Sequence, residues 1–314
     1  MRNRISWLQF SGDIARPKII QVLWLILNGV RNLINGVLVW PVQTKRIVFR
    51  EPRGLVAKAV RGSPSRVLCD NFLEQIPWTK IVEDIGSLDM IDFGCGNGDY
   101  QRVFKDELAK HRFSYLGVDV EQYAEWDEIG RSGDQSKFVQ IESDSSLASY
   151  LSNVNFVFTH SVLEHIRNDV NILAQIRAAI PLGEKGFIQL HFVPAAPSLW
   201  LYGLHGYRQY GIRDLKRMGE MFSDDSVYEI FGVGGGVFNS LHWRYLSKQA
   251  KWMRRGGQLG SDRTYAEELE GLLKDMKNKP PRGTPSFYAL LILSNFSNPR
   301  RVLRELNAAC VVGP

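Results

Sequence analysis

The stretch Met90-Ile91-Asp92-Phe93-Gly94-Cys95-Gly96-Asn97-Gly98 decides the fold. A short apolar run, Leu88–Phe93, meets three glycines at alternate positions. Glycine lacks Cβ, so the backbone can turn sharply there and a ligand can lie against it. Helix-compatible sequence follows through Lys110, and the first N–H groups of a helix have no acceptor of their own. A dinucleotide-binding turn reads G-x-G-x-x-G, but Asp99 stands where that pattern needs its last glycine. No Lys-Ser or Lys-Thr follows the glycines, which excludes a P-loop.

Outward from this turn, strand and helix signals alternate. Phe113–Val118, Lys137–Ile141, Val154–Thr159 and Lys185–Phe192 read as strands, with helix-like Asp169–Ile180 before the last of them. Val227–Val233 follows a helical stretch around Asp214–Met221, and Phe287–Leu293 is a further apolar, β-compatible run. Such alternation predicts an α/β fold with a parallel sheet. Between the last two strands lies an insertion over about residues 236–284, with helix-like Asn239–Arg254 and Tyr265–Lys277.

Charge divides the chain. The net charge is +6, yet residues 1–66 alone hold twelve Lys or Arg against Asp13 and Glu51, a net +10, and the remainder is −4. The basic arm favours an anionic surface, lipid or nucleic acid, whereas the balance of the body argues against a long nucleic-acid groove. Within the arm, Ile19–Trp40 is strongly apolar, but Arg31 near its middle disfavours a membrane span. On a helical wheel Gln21, Asn28, Gly29, Arg31, Asn32, Asn35 and Gly36 share one side, within roughly 160° of arc. Two placements follow: an interfacial helix lying in an anionic membrane surface through residues 16–50, or a helix packed on the body of the protein. Residues 41–66 read as a connector. The expected division is an arm over 1–66, a domain over 67–300 and a tail over 301–314.

Cys69, Cys95 and Cys310 are far apart and odd in number, so neither a disulfide framework nor a zinc knuckle is indicated, and no metal-ligand set is expected. A reducing, cytoplasmic compartment is the simple reading, with the arm placing the protein peripherally on the inner membrane face.

The glycine turn closely resembles motif I of the class I S-adenosylmethionine-dependent methyltransferases, and the resemblance runs over about residues 70–294. It implies a Rossmann-like, doubly wound, seven-stranded sheet, mostly parallel with an antiparallel last strand, plus the N-terminal helical arm. It also implies S-adenosylmethionine as cofactor, cradled by Asp92, Gly94, Cys95, Gly96, Asn97 and Gly98. Asp119, ending Leu116-Gly117-Val118-Asp119, matches the acidic residue that holds the ribose hydroxyls, with Val120 beside it. A carboxylate there can accept from both hydroxyls. Asp144 and Ser145 match, less closely, the position that reaches the adenine amino group. Phe158-Thr159-His160-Ser161-Val162-Leu163-Glu164-His165-Ile166 resembles the segment where methyl donor and acceptor meet, which assigns His160 and Ser161 to the cofactor's surroundings.

Methyl transfer from a sulfonium needs mainly positioning, so no fixed catalytic triad is expected. An oxygen acceptor benefits from a base, for which His165 stands first and His191 second. The signature Asn-Pro-Pro-Tyr of exocyclic amino methylation on nucleic acid bases is absent after the fourth strand. Beyond the fifth strand, Trp200, Tyr202, His205, Tyr207 and Arg208 offer apolar area and polar groups to an acceptor. Trp243, Tyr245, Trp252, Met253, Arg254 and Arg255 in the insertion suit a lid or a second membrane contact.

The expectation is a methyltransferase acting, foremost by O-methylation, on a small-molecule or lipid-linked acceptor such as a glycan or glycolipid. Two other readings stand beside it: a non-catalytic interaction module of the same fold, and an RNA methyltransferase guided by the basic arm.

Overall fold

The structure is a computed structural model that describes residues 11, 17–34, 44–50, 62–130, 136–180, 185–202, 205–224, 226–247, 263–277, 279, 282–308 and 310–312. Trp252, Met253, Arg254 and Arg255, and the stretch expected to extend the first helix to Trp40, lie outside the described residues.

The strands are β1 (Lys45–Ile47), β2 (Leu88–Phe93), β3 (Phe113–Asp119), β4 (Ser136–Gln140), β5 (Phe156–His160), β6 (Phe187–Pro194), β7 (Ser226–Val233), β8 (Phe287–Ser294) and β9 (Cys310–Val312). They form one sheet in the order β4-β3-β2-β5-β6-β8-β7-β1-β9. β2 to β6 pair in parallel, and β8 runs antiparallel to both of its neighbours, β6 and β7. The expected Rossmann-like α/β sheet with its antiparallel last long strand is therefore present. Chain order reverses between β2 and β5, which are neighbours although β3 and β4 lie between them in sequence.

Two faces of the sheet are covered, as the near-continuous apolar runs of the parallel strands require. Side chains alternate along each strand, so Leu88 and Met90 join one cluster while Ile91 and Phe93 join the other. The first cluster takes in Val67 and Phe72 of α2 (Pro64–Leu73), Ile81 of α3 (Trp78–Ile85) and Phe104 of α4 (Asp99–Glu107). The second takes in Leu173 and Ile176 of α6 (Asp169–Ala179) and Leu215 of α8 (Ile212–Glu220). Phenylalanines weld the first face: the Phe104 ring meets Phe156 and Phe158 edge-on at 5.5 and 4.9 Å.

Three expectations about organisation need correction. Seven strands become nine because β1 and β9 extend the sheet beyond β7. Residues 45–47 are thus sheet rather than connector. Runs of three residues show no periodicity; β1 is held by ladder bonds and by Lys45, whose Nζ lies 2.5 Å from Glu229 Oε1. Likewise the C-terminal segment is structured, with α11 (Pro299–Asn307) placing Val302 and Leu306 in the core. The insertion is core as well: Phe238 and Leu241 of α9 (Val237–His242), and Leu269 and Leu273 of α10 (Arg263–Met276), are buried. The two helices left to number are α5 (Glu125–Gly130) and the single turn α7 (Leu199–Tyr202).

The arm helix α1 (Lys18–Asn32) has the expected two sides, and its polar side faces the protein. Trp24, Asn28 and Asn32 are buried, and Arg31 lies 4.0 Å from Asp214. The Asn32 amide reaches the Ala196 carbonyl and Gln209 Oε1, both at 3.4 Å. The apolar side faces outward, with Ile19 77% and Ile26 57% exposed and Val22, Val30, Leu33 and Ile34 about half exposed. No helix among the described residues is long and apolar enough to cross a membrane.

Candidate functional site

The carboxyl ends of β2, β3, β4, β5 and β6 converge where the strand order reverses, the place where open α/β sheets form a crevice. The first wall is the glycine turn. Gly94, Gly96 and Gly98 all take positive φ (77°, 53° and 85°). At Gly94 a Cβ would also lie 2.3 Å from the Val162 side chain, so no other residue fits without moving the β5 loop. The Gly94 and Cys95 N–H groups both donate to the Val118 carbonyl, at 2.7 and 3.2 Å, which ties the turn to the end of β3. Gly98 begins α4, so the helix's amino end points along the turn.

Asp119 ends β3 and closes the second wall. Its carboxylate accepts from Gly96 N–H at 2.8 Å and from Glu121 N–H at 3.1 Å. A carboxylate offers about four acceptor positions, so two neutral hydroxyls can still be bound. Trp126 of α5 stacks on Phe138 at 5.4 Å and donates its indole N–H to the Gly96 carbonyl at 2.7 Å. Val120 is exposed beside the crevice, and Asn97 is partly exposed on the turn. Asp144 heads the 3-10 turn Asp144–Tyr150 next to exposed Ser145; partial burial, and then Asp119, raise its carboxyl above the usual range.

Asp92 sits beneath the turn instead of lining it. It is 1% exposed, accepts from the Tyr115 hydroxyl at 2.5 Å, and burial lifts its pKa to about 7. His160 ends β5 among Tyr100, Phe192 and Phe287, stacked on the last at 5.3 Å. Neither ring nitrogen has a hydrogen-bond partner, and burial, with Arg66 adding, keeps the ring neutral. Ser161 has φ 58°, a left-handed backbone in a non-glycine residue at the centre of the crevice. Its N–H donates to the Phe192 carbonyl at 3.0 Å.

The third wall is the 3-10 turn Leu163–His165 and the segment after α7 that packs on it. The Glu164 side chain is 0% exposed and neither carboxylate oxygen has a hydrogen-bond donor. His165 Nε2 and His205 Nε2 lie 3.9 and 3.6 Å from Glu164 Oε1, and both rings are about a third exposed. The two imidazoles meet edge to face, 4.5 Å between centroids. One ligand atom from each of the three residues falls within 4.8 Å of the others. Gly206, at φ 62°, makes this possible: a Cβ there would lie 2.6 Å from the Glu164 carbonyl oxygen, which accepts from Tyr207 N–H at 2.6 Å.

Two sequence-stated roles do not survive. His191 is fully buried within β6, between the Thr159 hydroxyl at 2.9 Å and Gln189 Oε1 at 3.3 Å, and burial lowers its pKa to about 3. It is a core residue, out of an acceptor's reach. Arg208 is engaged by buried Asp169, 3.0 Å away, and by the Arg167 carbonyl at 2.8 Å, so it braces the loop instead of awaiting an anion. Tyr202 is also committed, its hydroxyl donating to the Ser286 carbonyl (3.2 Å) and lying 3.3 Å from the Ser65 hydroxyl. Trp200 is exposed and packs on Trp243 at 5.6 Å, so the insertion meets the acceptor segment there. Tyr207 contributes through its backbone.

Reading the sequence missed Glu164, whose weight comes from burial and from a histidine far along the chain. It also missed Arg66 and Tyr100. The Arg66 guanidinium lies over the Tyr100 ring, 5.3 Å from its centroid, and 3.5 Å from Asp99 at the start of α4, which places a cation beside the glycine turn. Grooves of about 390 and 300 Å³ lie at the opposite ends of the strands, by Trp78 and Phe113, away from all these groups.

No family model matches the sequence, and no curated protein matches it. Solved structures do resemble it. A plantazolicin methyltransferase, BpumL, in complex with SAH has 11% identity over 88% of this chain and 99% of its own, at a TM-score of 0.46. A second plantazolicin methyltransferase, BamL, in complex with a triazolic desmethylPZN analog and SAH, has 14% identity over 76% and 86%, at 0.45. A SAM dependent methyltransferase from Archaeoglobus fulgidus has 14% identity over 72% and 94%, at 0.42.

Proposed function

We propose that the protein is an S-adenosylmethionine-dependent methyltransferase that O-methylates a small or lipid-linked acceptor. The observation that carries this reading is the joint placement of three left-handed glycines and Asp119 at the strand-order reversal, with Gly96 N–H gripped by Asp119 at 2.8 Å. A bare backbone turn and a carboxylate side by side suit a nucleoside with two vicinal hydroxyls.

In this reading Asp119 binds the ribose hydroxyls. Asp144 lies where an adenine amino group is reached, and Arg66 supplies a cation for the amino acid carboxylate. When bound, the cofactor supplies a methyl on a sulfonium, whose carbon–sulfur bond breaks with both electrons remaining on sulfur. Neutral His160 and the strained Ser161 turn shape the space between the two reactants without adding charge. His165, next to Glu164 and about a third exposed, is the group to take an acceptor hydroxyl proton.

The lipid-linked part rests on α1. Its polar side lies against the same segment that builds the third wall, through Asn32 to Ala196 and Gln209, and leaves the apolar side facing outward. With the basic residues of the arm, this surface suits peripheral contact with an anionic membrane.

Calorimetry with S-adenosylmethionine and S-adenosylhomocysteine tests the core of the reading; a folded protein with affinity for neither defeats it. Incubation with methyl-labelled cofactor and fractionated extract then reads the acceptor. Label in lipid or glycan supports the acceptor class, label in RNA replaces it, and tight cofactor binding with no label in any fraction favours a non-catalytic module.

A further inference from the structure

Glu164 poses a physical problem. A carboxylate removed from water is costly unless hydrogen-bonded, paired or bound to a metal. Here neither oxygen receives a hydrogen bond, and the imidazole nitrogens at 3.6 and 3.9 Å are too distant to donate one. They are near the right distance to share an ion. Donors about 2.1 Å from a common ion stand roughly 3.0–3.4 Å apart in octahedral or tetrahedral geometry. The two distances to Glu164 need to contract by roughly 0.2–0.9 Å, with the whole set, within 4.8 Å at the start, drawing in together.

We propose that Glu164, His165 and His205 bind one divalent transition-metal ion at the acceptor end of the crevice. Two imidazoles and one carboxylate suit zinc, iron, cobalt or nickel in preference to magnesium or calcium, which favour all-oxygen shells. The ligand shell is held in place before any ion arrives. Tyr207 N–H and the Cβ-free Gly206 press the His205 loop onto the Glu164 backbone, and buried Gln209 donates to the His205 carbonyl at 3.1 Å. Arg208 fixes the same loop through Asp169. The partial exposure of both imidazoles leaves the solvent side open, so coordination positions remain for an acceptor oxygen.

The role of the ion rests on the methyltransferase reading; the site itself does not. An acceptor hydroxyl bound to the ion loses its proton to solvent more readily, and its oxygen then forms the bond to the methyl carbon as the carbon–sulfur bond breaks. His165 becomes a ligand, and no separate base is needed.

Full-length protein stripped with chelator and titrated with Co²⁺ gives the test, because visible d–d absorption reports the donor set directly. One equivalent should produce a band that Zn²⁺ displaces and Mg²⁺ does not. Glu164→Gln and His205→Gln should each weaken Co²⁺ by roughly 100-fold or more. His165→Gln, on a partly exposed side chain, does the same should either of those fail to fold. Absence of a band, or a band unchanged in folded variants, overturns the proposal. Calorimetry with S-adenosylhomocysteine on the same samples separates the two readings. Nucleoside binding without Co²⁺ binding removes the metal site alone, and Co²⁺ binding without nucleoside binding removes the methyltransferase reading alone.

Discussion

The glycine turn draws its determinants from one continuous unit, β2, the turn, α4 and β3, whose hydrogen bonds connect Gly94 and Cys95 to Val118 and Gly96 to Asp119. The third wall joins Glu164 and His165 to a histidine from a distant segment, clamped by Gly206, Tyr207 and Arg208. The Asp119 carboxylate accepts two backbone N–H bonds, whereas the Glu164 carboxylate has no donor. The difference teaches where to look for chemistry. A satisfied network organises a binding surface, and an unsatisfied buried charge marks a place awaiting something from outside.

The contrast can be broken most decisively at Asp119. If the proposed ribose contact holds, Asp119→Ala removes two charge-assisted hydrogen bonds of about 1.5–3 kcal/mol each, and calorimetry should show affinity for S-adenosylhomocysteine falling roughly 100-fold or more. Undiminished affinity would mean that the carboxylate only braces Gly96. Next comes Gly94→Ala, which meets both a φ of 77° and the Val162 side chain; a loss of about 2–4 kcal/mol in denaturant unfolding is expected.

The third wall should respond in the opposite sense. Glu164→Met replaces a buried, unsatisfied carboxylate with an apolar chain of similar size. In metal-free buffer its melting temperature should equal or exceed the parent's, while Co²⁺ binding disappears. A large destabilisation would show that Glu164 is a structural anchor.

A smaller effect separates His191 from the crevice histidines. Its folded pKa, about 3, lies below the unfolded value, so burial of the neutral ring contributes stability above about pH 6.5 that is lost as pH falls toward 3. The stability gap between parent and His191→Gln should therefore narrow across that window. Asp92, raised to about 7, has the opposite sign, favouring the folded state at low pH and losing that contribution as pH rises toward 7. It is present in both proteins and cancels in the difference. Smallest of all in stability is the double change Val22→Ser with Ile26→Ser on the outer side of α1. Unfolding free energy should move by no more than about 0.5 kcal/mol per site. Flotation with phosphatidylserine vesicles should drop roughly tenfold or more, since each apolar chain contributes about 1.5 kcal/mol or more on burial. Equal flotation would remove the membrane from the proposal.

The same contrast explains what was legible in sequence. The glycine turn, Asp119 and the long strands announce themselves because their signals are local: alternate glycines, apolar runs, an acidic strand end. His191 and His165 look alike in sequence, each at or just past a strand end, and only the pleat and the packing of β6 against Thr159 decide that the first is core. Arg208 reads as a free cation until the fold brings Asp169 to it. The two sides of α1 were readable, but not which one faces inward. Burying the polar side is feasible only because Ala196, Gln209 and Asp214 present acceptors there. Strands of three residues carry too few side chains for any pattern, which hid β1 and β9.

The pairing of β9 with β1 has a consequence for how this chain behaves in solution. Open sheet margins recruit other backbones, and one that ended at the eight-residue β7 would offer a long template for self-association. Here two short strands from distant parts of the sequence, β1 and β9, pair across that margin, so its outermost rung is only three residues long. Loss of both β1 and β9 would therefore uncover the long margin of β7, and oligomers formed by such fragments would reflect the cut and not the native protein.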